Sequence, residues 1–90
     1  METCFDTFNG WQMAVTVERR LDAMGQTKYY IVPPVTYKEF SHGESRQLAT
    51  ETRTRCFSDA EKAFEAAFRD CERDITREIE ARTPNQVERA

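Results

Sequence analysis

The sequence predicts an α+β domain: an antiparallel three- to four-stranded sheet with one long C-terminal helix packed on one face. Three observations predict it. Between residues 11 and 57, apolar and polar side chains alternate with a period of two in strand-length runs. From residue 58 the apolar spacing changes to three and four. The strand-like runs all precede the single helical run, an order that lays the helix across one sheet face and leaves the other to water or a partner.

Residues 1–10 read as an irregular lead-in, with Phe5 and Phe8 available to the core edge and Asn9-Gly10 as a turn signal. The first strand opens at Trp11. Trp11, Met13, Val15 and Val17 fall on one side, and Gln12, Thr16 and Glu18 on the other. Asp22–Gln26 is a hairpin connection, with Gly25 free to take a positive φ. Thr27–Val32 is the second strand, rich in aromatic and β-branched residues. Pro33-Pro34 should stop it, because neither residue donates a ladder hydrogen bond. Val35–Phe40 is a candidate short extended piece, and Ser41–Glu44 a loop. Arg46–Phe57, with Thr50, Thr52 and Thr54 alternating with Glu51, Arg53 and Arg55, reads as a third long strand at a sheet edge.

The helix is the strongest element. Ser58 is an expected N-cap, and Ser58-Asp59-Ala60-Glu61 has the form of a capping box. Phe64, Phe68, Cys71, Ile75 and Ile79, flanked by Ala60 and Ala67, form an apolar stripe. Thr83-Pro84 should end it. The helix spans roughly 24 residues within 58–83, on the order of 36 Å, so its last turns are expected to overhang the sheet. Phe64, Phe68 and Ile75 should pack on Trp11, Val15 and Tyr29 or Ile31. The organisation is thus one domain over 1–90: lead-in 1–10, sheet 11–57, helix 58–83 and polar tail 84–90.

A chain of 90 residues has room for one core and none for a deep substrate cavity. Its 39% hydrophobic and 32% charged residues suit a folded domain. The net charge of −3 argues against a general nucleic-acid binder. Residues 1–57 are neutral, with seven basic and seven acidic side chains; residues 58–90, with six and nine, supply the whole excess. No run is long and apolar enough for a membrane span, and the first ten residues lack the basic and apolar regions of a signal peptide. Cys4, Cys56 and Cys71 form no CxxC and no Cys/His cluster. A disulfide framework and a zinc site are both disfavoured, and a reducing cytoplasm is the expected location.

The sequence offers no catalytic residue. His42 stands beside Gly43 in a loop with no accompanying nucleophile motif. Cys71 lies on the apolar stripe, where a free cysteine is an ordinary small hydrophobe. Cys56 precedes the helix, where a thiol pKa can fall, yet its alternation places it with the core. The three glycines form no phosphate loop. The expectation is a non-enzyme without metal or cofactor.

Two surfaces are candidates for partner binding. On the helix, Arg69, Arg73 and Arg77 stand four apart, with Glu65 beside them. The bland reading is a solvated face of i,i+3 and i,i+4 ion pairs; the sharper one is a charged docking stripe. On the outer sheet face, alternation gathers Arg20, Lys28, Tyr30, Arg53 and Arg55. Basic residues around an aromatic suit either nucleic acid or plain solvent exposure. A third expectation is a homodimer that buries the helix overhang at Ile75 and Ile79.

With Trp11 opening the first strand and Phe57-Ser58-Asp59-Ala60-Glu61-Lys62-Ala63 opening the helix, residues 10–75 loosely resemble AP2/integrase-type DNA-binding domains. That resemblance implies DNA reading by the open sheet face. The chain departs from it in the excursion Pro33–Ser45 and in its acidity. In size, acidity, few cysteines and lack of a catalytic motif, the chain also resembles the small phage-encoded anti-CRISPR proteins. That likeness implies a cytoplasmic inhibitor that occludes a surface of a bacterial CRISPR nuclease complex. The expected function is therefore a non-catalytic protein-binding inhibitor or accessory module, with a small DNA-binding domain as the alternative.

Overall fold

A computed structural model describes residues 1–82; the expected helix end at Thr83-Pro84 and the tail 84–90 lie outside them. The fold is α+β. Strands β1 (Glu2–Phe8), β2 (Trp11–Leu21), β3 (Thr27–Glu39) and β4 (Ser45–Ala49) form an antiparallel sheet in that order. A two-residue strand β5 (Cys56–Phe57) also pairs with β3, and helix α1 (Ala60–Arg82) lies over β2 and β3.

The expected lead-in is strand β1. Asn9 (φ 51°) and Gly10 (φ 85°) both take the positive φ of a tight two-residue hairpin turn, with Phe8 opposite Trp11. The alternation that marks a strand is hidden here because the residues on the helix-side face are Glu2, Cys4, Asp6 and Phe8, of which two are acids. The next turn is built as expected around Gly25. The Asp22 carboxylate accepts the backbone N–H groups of Met24 and Gln26, each at 2.9 Å.

Pro33-Pro34 does not end its strand. Thr16 pairs with Val32 and Ala14 with Val35, so the two prolines sit in a bulge opposite Val15. On the other side of β3, β5 pairs with residues 29–30 and β4 with residues 35–39, so the missing N–H groups fall between two ladders. The expected third long strand is accordingly split into β4 and β5. Residues 50–55 between them are irregular, held by Thr50 N–H to the Pro34 carbonyl (3.0 Å) and Ile31 N–H to the Arg55 carbonyl (2.9 Å).

The helix begins two residues later than expected. Asp59, not Ser58, is the cap: its carboxylate accepts the Glu61 N–H at 2.8 Å. The helix is also rotated from the expected register. Ala63, Ala67, Cys71 and Ile75, four apart, are fully buried against Trp11, Met13, Val15, Val17 and Ile31, while Phe64, Phe68 and Ile79 pack from the flanks. The centre line is occupied mainly by small residues, and Phe64 and Phe68, one turn apart, fill the space along one flank of it. The expected overhang is not found at Ile75, which has no exposed surface, and Ile79 is half-buried.

Candidate functional site

The pairing register defines the uncovered face. Thr3, Phe5 and Thr7 of β1 share it with Gln12, Ala14, Thr16, Glu18 and Arg20 of β2. Opposite those stand Lys28, Tyr30, Val32, Val35 and Tyr37 of β3, with Gln47 and Ala49 of β4 beyond. The bulge keeps Val32 and Val35 on one face although they are three apart, because the extra residue restores the parity that a regular strand would reverse.

The middle of this face is uncharged and partly apolar. Phe5 is 78% exposed, Val35 45% and Val32 36%. Phe5, Gln12, Ala14, Val35, Tyr37 and Gln47 surround a shallow hollow of about 220 Å³. Charge is confined to the ends. At one end Arg20 stands opposite Lys28, lies 4.8 Å from the centre of the Tyr30 ring and donates to Glu18 at 2.6 Å. A side-chain hydrogen bond with Cys56 is the main influence holding the Tyr30 hydroxyl above its ordinary pKa. At the other end is Glu39, which the register places opposite Ser45.

Of the five residues expected on this face, the structure brings together Arg20, Lys28 and Tyr30. Arg53 and Arg55 lie in the irregular segment 50–55. Arg55 is exposed, and its carbonyl accepts the Ile31 backbone N–H. Arg53 belongs to a second site beside the helix, a polar hollow that it lines with Glu51, Thr52, Arg73, Asp74 and Arg77. The expected basic patch is thereby divided.

The helix ladder is divided as well. Glu65, Arg69 and Arg77 are exposed, but Arg73 is not a free surface group. Its guanidinium contacts Asp70 and Asp74, each at 3.1 Å, and reaches the Glu51 carbonyl at 3.4 Å. Asp70 in turn accepts the Arg53 backbone N–H at 3.2 Å. Arg73 and Asp70 thus fasten segment 50–55 to the helix. A stripe of three arginines in sequence becomes one brace and two solvated cations.

The remaining reactive side chains are dispersed. His42 is exposed in the β3–β4 turn, its Nε2 3.9 Å from a Glu44 carboxylate oxygen. Cys71 is fully buried, and desolvation by that burial pushes its thiol up to about 11. Among the described residues no three His, Cys, Asp or Glu side chains gather as a metal site, and no helix is long and apolar enough to cross a membrane.

The residues that the sequence did not mark for this site are Phe5, Val32, Val35 and Tyr37. A signal existed for Phe5 in Asn9-Gly10, a hairpin dipeptide that implies a strand on its N-terminal side. For Val32 and Val35 the signal was the proline pair, read as a stop when it marks a bulge. No family model, curated protein or solved structure matches this chain.

Proposed function

We propose that the chain is a non-catalytic protein-binding module whose open sheet face is a protein–protein interface. One observation carries this reading: the middle of the uncovered face is an uncharged strip of Phe5, Ala14, Val32, Val35 and Tyr37, with charges only at its ends. Apolar and aromatic centres with polar rims suit protein partners. Nucleic-acid surfaces are the reverse, with cations along the whole track. Here two cations remain at one end, and Arg20 is already paired with Glu18.

The specific form of this reading is inhibition. Like the anti-CRISPR proteins that the chain resembles in format, the module would occlude a surface of a bacterial CRISPR nuclease complex. The test adds purified chain to CRISPR effector cleavage reactions and compares it with Val35→Glu, which places a charge in the strip. Loss of cleavage with the wild type and its recovery with the variant support the proposal. Unimpaired cleavage at excess chain removes the inhibitory form. A low-salt gel shift abolished by Lys28→Glu would replace the protein-binding reading with DNA binding, because phosphate contacts dominate such affinity.

A further inference from the structure

We infer that the open sheet face pairs with the same face of a second copy of the chain, β3 lying antiparallel over β3 about a two-fold axis at Pro33-Pro34. The inference rests on the protein-binding reading of this face and names its occupant. Along the outer side of β3 the residues are Lys28, Tyr30, Val32, then the proline bulge, then Val35, Tyr37 and Glu39. The order is cation, tyrosine, valine, valine, tyrosine, anion. It is symmetric about the bulge in shape and antisymmetric in charge.

A two-fold contact requires that residue i meet residue j and j meet i. Antiparallel stacking meets that requirement with like on like in the middle, Val32 on Val35 and Tyr30 on Tyr37 of the second copy. At the ends it sets Lys28 toward Glu39, twice. The other two-fold arrangement, with its axis along the strands, places Lys28 over Lys28 and Glu39 over Glu39 and is opposed by like charges. Charge therefore selects one geometry. Phe5 fits it independently: Cys4 stands opposite Val15, level with the bulge, so the exposed Phe5 rings of both copies come close to the axis.

Sheets stacked face to face lie about 10 Å apart with strands within about 30°. The face runs roughly 35 Å along β3 and about 14 Å across four strands. The flat footprint is then at most about 490 Å², below the ~800 Å² per partner of a standard interface, so the dimer is a weak one that forms at high micromolar concentration. The bulge is what makes the pattern possible, since without it Val35, Tyr37 and Glu39 would face the helix.

The test is sedimentation velocity of the full chain over a concentration series, on wild type, Val35→Glu, Lys28→Glu, Glu39→Lys and the double charge swap. Far-UV circular dichroism checks that each variant is folded. The expected wild type sediments at twice the monomer mass at high micromolar concentration. Val35→Glu should be monomeric. Each single swap should weaken the dimer about tenfold, because two pairs become repulsive together, and the double swap should restore it to within about threefold. A wild-type monomer throughout, a dimer indifferent to Val35→Glu, or a double swap no better than the singles overturns the inference. If the monomeric wild type still inhibits cleavage and Val35→Glu does not, self-pairing fails while the protein-binding reading stands.

Discussion

Asp70 and Arg73 form an ion pair at 3.1 Å that ties the helix to the segment between the last two strands. The other oxygen of Asp70 accepts the Arg53 N–H, and Arg73 reaches on to the Glu51 carbonyl. Asp70→Ala should cost about 1–3 kcal/mol, the usual penalty for stranding hydrogen-bond partners of a charged group. Arg53→Ala keeps the backbone N–H and should stay within about 0.5 kcal/mol of wild type. Urea melts on the two variants check the difference; equal losses would show that the Arg53 side chain, not its backbone, matters.

The helix centre line predicts an inverted order of sensitivity. Ile75 has no exposed surface and should cost about 2–5 kcal/mol when cut to alanine. Half-buried Phe68 should cost less than the roughly 3–5 kcal/mol of a fully buried phenylalanine. Ala67→Leu, which adds volume at a fully buried position, should destabilise by about 1–3 kcal/mol. Thermal denaturation in which Phe68→Ala is worse than Ile75→Ala would contradict the rotated register.

Thr36 is fully buried on the helix side of β3, and its hydroxyl has no hydrogen-bond partner among the described residues. Thr36→Val keeps the β-branched shape and removes a desolvated polar group. It should stabilise the domain by about 1 kcal/mol. A lowered midpoint in denaturant would mean that the hydroxyl is satisfied in solution.

Cys71 gives an alkaline prediction. Burial raises its thiol from an ordinary 9.0 to about 11. Below pH 9 the thiol is protonated in both folded and unfolded chains, and the stability linked to it is fully present. As the pH rises toward about 11, only the unfolded thiol ionises, and that stability is lost. Melts from neutral pH upward should fall across this window, and less steeply in Cys71→Ala. With a thiol reagent at neutral pH, exposed Cys56 should react and Cys71 should not until the chain is unfolded.

Deleting Pro33 should leave the two faces of the sheet unchanged. With it gone one residue stands opposite Val15, so Val32, Val35 and Tyr37 stay on the open face and Thr36 on the helix side in a regular ladder. Circular dichroism melts check it; loss of the cooperative transition would show that β3 needs the bend of the bulge as well as its parity.

Much of this was legible in the residues. The alternation from Trp11 to Val17, the turn at Gly25 and the three-and-four spacing from Phe64 to Ile79 each follow from a local stretch of chain, and such local signals survive folding. So did the outward side of Arg20, Lys28 and Tyr30, because it follows from parity within an unbroken strand. β1 was not legible, since its acids at Glu2 and Asp6 lie on the sheet margin, where the inward side of a strand need not be apolar. Segment 50–55 was not legible either, because threonine alternation has strand form whether or not a partner strand is present.

The sequence by itself determined the class of the fold, the helix, and the buried side of β2, since each depends on the spacing of apolar groups along one stretch of chain. The tertiary structure alone decided three things. It made Pro33-Pro34 a bulge between two ladders, it turned Arg73 into a brace, and it set Phe5 level with Val35 across Ala14 on the uncovered face. Each is a relation between stretches distant in sequence. No local period encodes such a relation, because it depends on which strands lie side by side and in what register.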